Sequence, residues 1–454
     1  MGLLDVDVPA ENLWRGADLD GTDPIAVDLP PADLTDLEAA AVDLAYRGVD
    51  PVETSAADLP LGALTPLVAD LRHEVLHGRG IALLRGFPVD HRNVEEIALM
   101  FWAIGLRLGR AVSQSVMGER LGHVVDVTDV DPHARAYRNR SELAPHSDPG
   151  DLVSFLCIRA AAEGGVSRFV SSLTVFDEIR RSRPDLLEVL ARGFHYHRFG
   201  EHGPDDDPIT PHHIPVFSER EGLVSGRYVP EYVQIAADED PSIQLSDLDL
   251  EALELLHTTT NRRDLVLDFT LAAGEAVVAN NFTVFHARTG FVNGPGQRRH
   301  LLRLWLAAEP PRPVVPDTKH YPGEPGIPPQ PGRRPSFASR FDNRCSAADS
   351  WVASSGRCFS PTPWSWPGYL RPFRLLLRNF PRDHRGCHTN SAKGKGPLGC
   401  ELPDLVRGDR PDHHHRQAGL RHDWPRIRPR AARPRRVCTA GRSGSPNRVT
   451  VRSA

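Results

Sequence analysis

Cysteine is scarce where it would matter most: six occur in 454 residues, and five of them (Cys345, Cys358, Cys387, Cys400 and Cys438) lie beyond residue 340. With no Cys-x-x-Cys pair, neither a disulfide framework nor a thiolate zinc site is indicated. Cys157 stands alone in the apolar stretch 153–158 and reads as a buried strand thiol. There is also no apolar run of the roughly 18 to 20 residues needed to cross a bilayer. The start, Met1-Gly2-Leu3-Leu4-Asp5, lacks a basic segment leading into an apolar stretch. A cytoplasmic protein with no membrane partner is therefore expected. No internal repeat of 20 to 50 residues is present.

Charge is plentiful but divided. Residues 341–454 hold 22 Lys+Arg against 8 Asp+Glu, a net of +14, while residues 1–340 carry −19. The tail is rich in Arg, Pro and Gly and has no apolar periodicity. Its run Arg426 to Arg436 could neutralise phosphates, and Cys387, Cys400 and His413 to His415 could bind zinc, but neither has the spacing such a site requires. The organisation read from the sequence is an acidic N-terminal arm over 1–60, a folded domain over 61–340, and a tail over 341–454 that is disordered or frameshift-derived. Nucleic acid is not an expected partner.

Within the domain, Leu64, Leu67, Val68, Leu71 and Val75 recur at three and four and predict a helix over 61–77, stopped at Gly78-Arg79-Gly80. A buried strand follows over 81–87, then a helix over 94–108. Strands are expected at 152–159, 167–171, 265–269, 275–279, 283–287 and 300–306. Helices are expected from about Thr174 and, capped by Ser246 with Asp249, around Leu250 to His257. The polar stretch 129–142 reads as a loop on the substrate side. The sum is mainly β with surrounding helices, a double-stranded β-helix of the jelly-roll or cupin-like kind.

Chemistry concentrates in Ala144-Pro145-His146-Ser147-Asp148, answered far downstream by His286 and by Arg298, Arg299 and Arg303. His146 and Asp148 are two apart, so on a strand end both project to one side while Ser147 points away. Two imidazoles and one carboxylate on one face of a metal leave the opposite face open, the arrangement associated with non-haem Fe(II) oxygenases. Arginine suits an acidic co-substrate because its planar fork makes two parallel charge-assisted bonds and keeps its proton.

With these motifs in view, the chain resembles the taurine dioxygenase-like (TauD/TfdA) Fe(II)/2-oxoglutarate-dependent dioxygenases, related to clavaminate synthase. The resemblance runs over 80–311 and is strongest over 146–175 and 274–306. It implies metal ligation by His146, Asp148 and His286. Fe(II), 2-oxoglutarate and dioxygen are implied as cofactor and co-substrates, with decarboxylation of 2-oxoglutarate to succinate and hydroxylation of a small molecule. The Arg-Arg-x-x-x-Arg pattern implies that Arg303 grips the far carboxylate of 2-oxoglutarate and that Arg299 lies near its iron-bound end. Ser167, after the Gly164-Gly165 turn, is implied to share the far carboxylate. An intact Asp148 favours hydroxylation or desaturation over halogenation, which needs that position small.

Other residues invite a role. Gln114, Tyr137, Arg138, Asn139 and Arg140 are candidates for a substrate pocket, and Arg227 with Tyr228 for an acidic substrate group, although a hairpin arginine is more often solvated. His195, His197, His212 and His213 read as surface histidines. The substrate class stays open between an amino acid, a sulfonate and a biosynthetic intermediate. A rival from another class is a catalytically silent cupin-like binding protein with a basic nucleic-acid-binding tail.

Overall fold

The computed structural model describes residues 3–129, 136–203, 205–333 and 336–337. The tail 341–454, with its zinc, phosphate and frameshift readings, and the centre of the 129–142 loop lie outside the described residues.

Two sheets frame the interior. The larger runs Ala26–Asp28, Ile81–Arg85, Glu275–Asn280, Leu152–Arg159, His300–Ala307, Glu119–Val125, Ser336–Phe337, with Arg110–Ala111 beside His300–Ala307. The smaller runs Leu267–Phe269, Ser167–Ser171, Val284–Arg288, Leu143–His146. The smaller sheet is antiparallel throughout, and the larger is parallel only at its two outermost pairings.

Alternation along the strands explains why these segments form a layered molecule. In His300–Ala307, Leu302, Leu304 and Leu306 enter a core shared with the helices Thr35–Tyr46, Thr65–His77 and Val94–Leu108, while Leu301 and Trp305 enter the space between the sheets. Glu275–Asn280 divides in the same way, Ala276 and Val278 outward, Val277 and Ala279 inward. A strand buried on both faces has no polar side to show, which is why these segments read as continuous apolar runs. A third core lies under Ser172–Ser182, Pro184–Arg192 and Asp247–Thr260, packed beside Val170 and Phe285 of the smaller sheet.

Several expectations meet the structure directly. Ser246 and Asp249 form a reciprocal capping box on Asp247–Thr260, and Ser171 caps Ser172–Ser182 through the Thr174 amide. The N-terminal segment differs from the irregular arm expected. It holds the helix Thr35–Tyr46, which buries Leu37, Ala41 and Leu44, and the strand Ala26–Asp28, which pairs with Ile81–Arg85. The four-and-three spacing of those apolar residues is diluted by Asp, Glu and Ala, so the stripe is narrow. Pro230–Glu239 was likewise not expected as a helix. Seven α-helices among the described residues give helix a larger share than a mainly β chain would show. None is long and apolar enough to cross a membrane.

The contact between the large sheet and the helix Val94–Leu108 is tight at Gly105, where an added Cβ would meet Leu304 Cδ1 at 2.6 Å. Leu304→Ala empties that contact. Urea unfolding should show a loss of about 2–5 kcal/mol; an unchanged transition midpoint would contradict the packing described.

Candidate metal centre

The three ligand-type residues meet because of strand register. His286 stands directly opposite His146 across the antiparallel pair Val284–Arg288 and Leu143–His146, and opposite Phe169 on the other side. Cross-strand partners share a face, with Cβ atoms about 4.5–5.5 Å apart. The two imidazole centroids lie 4.3 Å apart. Asp148 follows two residues after His146, and its carboxylate oxygens lie 4.0 Å from His146 Nε2 and 3.6 Å from His286 Nε2. One ligand atom from each of the three residues falls within 4.8 Å of the others.

The surroundings fix those atoms. Ser147, fully buried, points away as expected: its hydroxyl accepts from the Tyr228 amide at 3.1 Å. The Asp148 amide donates to Asn281 Oδ1 at 3.1 Å, and Asn281 Nδ2 donates to the Gly150 carbonyl at 3.1 Å, so one turn residue holds the chain at Asp148 and just beyond it. Trp305 Nε1 donates to Asp148 Oδ2 at 2.8 Å. His146 Nδ1 donates to the Ala144 carbonyl at 2.8 Å, which leaves Nε2 facing Asp148. Such tautomer-setting bonds are what metal-ligating histidines need.

Electrostatics leave Asp148 and His146 in ligating form. Burial pushes the Asp148 carboxyl up, but the His286 ring and the Arg303 guanidinium outweigh it and hold it well below the usual carboxylate range. Burial, reinforced by His286, pushes His146 below the ordinary imidazole value. A neutral imidazole and an ionised carboxylate are the states a divalent cation takes. Two nitrogens and one oxygen, convergent and largely shielded from water, fit Fe(II).

The two arginines of the motif stand at different places in the site. Arg303 NH1 lies 4.0 Å from Asp148 Oδ2, beside the metal ligands, and its guanidinium is clamped by Gln114 Oε1, which accepts from Nε at 2.6 Å. It also stacks on Tyr137 and Trp305. Arg299 precedes it by four residues, about 13 Å along an extended chain. Its guanidinium lies over Phe291, with Nε against the Gly165 backbone. Arg303 thus lies beside Asp148 and Arg299 toward the Gly164-Gly165 turn, because the strand carries the motif away from Asp148. Burial lowers Arg299 to about 10, and no carboxylate among the described residues pairs with it. Ser167 is buried one strand over, in register with Arg288.

All six site residues line one cavity with Arg288, Tyr137 and Phe155. Sequence reasoning missed Arg288, Asn281 and Trp305. Trp305 continues the inward alternation after Arg299 and Arg303, a signal that was legible. Gln114 is a clamp on Arg303, which is a different task from lining a substrate pocket. Arg227 is buried, contrary to the expectation for a hairpin arginine, and His197 is buried with Glu239 at 3.1 Å, so the histidine-rich stretch is not uniformly surface. Cys157 is buried as expected, its thiol pushed up to about 11.

Fold and site together define a non-haem iron oxygenase of the Fe(II)/2-oxoglutarate-dependent class. The family model for "Taurine catabolism dioxygenase TauD, TfdA family" matches residues 45–305, more than half of the chain, and the chain belongs to that family. It is similar to FR-33289 synthase of Streptomyces rubellomurinus (strain ATCC 31215), 26% identical over 260 residues, covering 55% of this chain and 75% of that protein. It is also similar to taurine hydroxylase-like protein SAT17 of Stachybotrys chartarum (strain CBS 109288 / IBT 7711), 28% identical over 315 residues, covering 65% and 78%. A solved structure of asparagine oxygenase with Fe(II), 2S,3S-3-hydroxyasparagine and succinate overlaps 62% of this chain and 93% of its own at a TM-score of 0.47 and 19% identity. The enzyme is an Fe(II)/2-oxoglutarate dioxygenase.

Trp305→Phe keeps the ring and removes the donor to Asp148. Fe(II) affinity, read by anaerobic titration, should fall about 10- to 100-fold; wild-type affinity in this variant would sink the role given to the indole.

Proposed function

We propose that this enzyme hydroxylates an unactivated C–H bond of a small molecule, with His146, Asp148 and His286 as iron ligands. The observation that carries the proposal is the cross-strand opposition of His146 and His286 with Asp148 between them. When bound, Fe(II) with 2-oxoglutarate supplies the oxidising chemistry: the co-substrate and dioxygen become succinate and carbon dioxide as one oxygen atom enters the substrate.

The protein's share is placement. Arg299, buried and without a carboxylate partner among the described residues, takes the remote carboxylate of 2-oxoglutarate with the Ser167 hydroxyl. Arg288 adds a second buried cation at that end, its pKa lowered to about 9 by burial and by Arg299. Arg303 stands beside the keto-acid end and holds the local charge near Asp148, its own position set by Gln114. Phe155, Phe169 and Leu301 line the same cavity and keep water from it.

The fold is proposed to be a double-stranded β-helix, with 61–340 as the catalytic domain and 341–454 a separate tail that catalysis does not use. An amino acid, a sulfonate or a biosynthetic intermediate is the proposed substrate class.

A succinate assay over a panel of amino acids and small acids tests the proposal. Turnover should require Fe(II) and 2-oxoglutarate, persist in residues 1–340, and fall at least about 1000-fold in His146→Ala. Arg299→Ala should raise the KM for 2-oxoglutarate by about 100-fold with iron binding intact. Iron binding without succinate formation on any substrate, joined to nucleic-acid affinity that disappears with the tail, would favour the catalytically silent binding protein instead.

A further inference from the structure

A second cavity, of about 430 Å³, lies between the His-x-Asp segment, the hairpin at Arg220-Glu221 and the chain over 311–326. It shares no lining residue with the metal-site cavity. Its cations outnumber its anions once local pairs are removed. Arg220 is answered by Glu221 at 3.7 Å, and Glu324 by Arg110 at 2.8 Å. Arg227, Arg312 and Lys319 remain, faced by Asp151 alone.

Two of these cations have no ion-pair partner among the described residues. Arg227 is 4% exposed; one of its NH groups donates to the Asp148 carbonyl, and its Nε has no partner. Arg312 is half-buried and fixed by bonds to Ser225 Oγ at 3.0 Å and the Val224 carbonyl at 2.7 Å. Burial lowers both guanidinium groups to about 10, so they stay charged at neutral pH. His320, which also lines the cavity, is 5% exposed and has neither ring nitrogen hydrogen-bonded. A buried imidazole with two unused polar atoms costs free energy unless a ligand or water meets it.

We propose that this cavity binds the phosphate group of a small organic molecule, through Arg227, Arg312, Lys319 and His320. Donors from four side chains suit a tetrahedral oxyanion, which presents oxygens in several directions, better than a planar carboxylate that one guanidinium fork satisfies. The volume falls within the range of small-ligand sites and exceeds what a bare ion fills. Phe282, Tyr321 and the prolines around them supply apolar wall for the rest of the molecule. The site also touches the metal centre through the chain, since Pro149 and Asp151 line it and Arg227 holds the Asp148 carbonyl. The proposal does not rest on the oxygenase chemistry and is tested without iron.

Calorimetric titration of the full chain with inorganic phosphate, in the absence of metal and 2-oxoglutarate, should show one site of about millimolar affinity or tighter. Lys319→Glu and Arg312→Gln should each weaken it about tenfold or more. Arg299→Ala, which alters the other cationic cavity, should leave it unchanged. Lys319 is exposed, with its ammonium bonded to the Gly323 carbonyl, so Lys319→Glu decides the matter even if Arg312→Gln fails to fold. Absence of binding, binding indifferent to Lys319→Glu, or binding lost only in Arg299→Ala would each overturn the proposal.

Discussion

The whole site depends on one pairing: His286 opposite His146 across two antiparallel strands. A slip of one residue in either strand would turn one imidazole to the other face of the sheet and separate the pair. The register is held from both sides, because Val284–Arg288 also pairs residue for residue with Ser167–Ser171. The aspartate is then brought in by a short segment whose amide and carbonyl are both tied, to Asn281 and to Arg227. Remote sequence becomes one metal-sized cluster through backbone hydrogen bonds, and the side chains need only complete it.

Charge explains why this interior is built for an acidic co-substrate. Arg288, Arg299 and Arg303 line a buried cavity in which Asp148 is the one carboxylate among the lining residues. Buried cations without partners are costly, and a dicarboxylate entering the cavity would offset part of that cost. Desolvation thus favours filling the site with 2-oxoglutarate, whose two negative charges oppose the excess of the arginines. The cavity behind the His-x-Asp segment shows the same imbalance, three cations facing Asp151, with Arg227 bridging the two by its bond to the Asp148 carbonyl.

Much of this was legible in the residues. The period-two alternation around Leu301 to Leu306 reports a strand buried on both faces, and Ser246 with Asp249 reports a helix start, because both are local rules. His146, Asp148 and His286 could be named because ligand chemistry restricts the residue types. The position of Arg303 beside Asp148 could not, since it depends on which end of the last strand lies next to that carboxylate, a matter of topology. Asn281 was missed, and the clamp role of Gln114 was not seen, for a related reason: their partners are 133 and 189 residues away. The helix Thr35–Tyr46 was hidden by an acidic, alanine-rich surface around a narrow apolar stripe.

Iron stoichiometry tests the central claim most directly. Anaerobic Fe(II) titration of the wild type should give one tightly bound ion per chain, and His146→Ala, Asp148→Ala and His286→Ala should each abolish it while circular dichroism stays unchanged. Full iron binding in a folded His286→Ala protein would contradict the account, because the cross-strand pair would then not be where the metal sits.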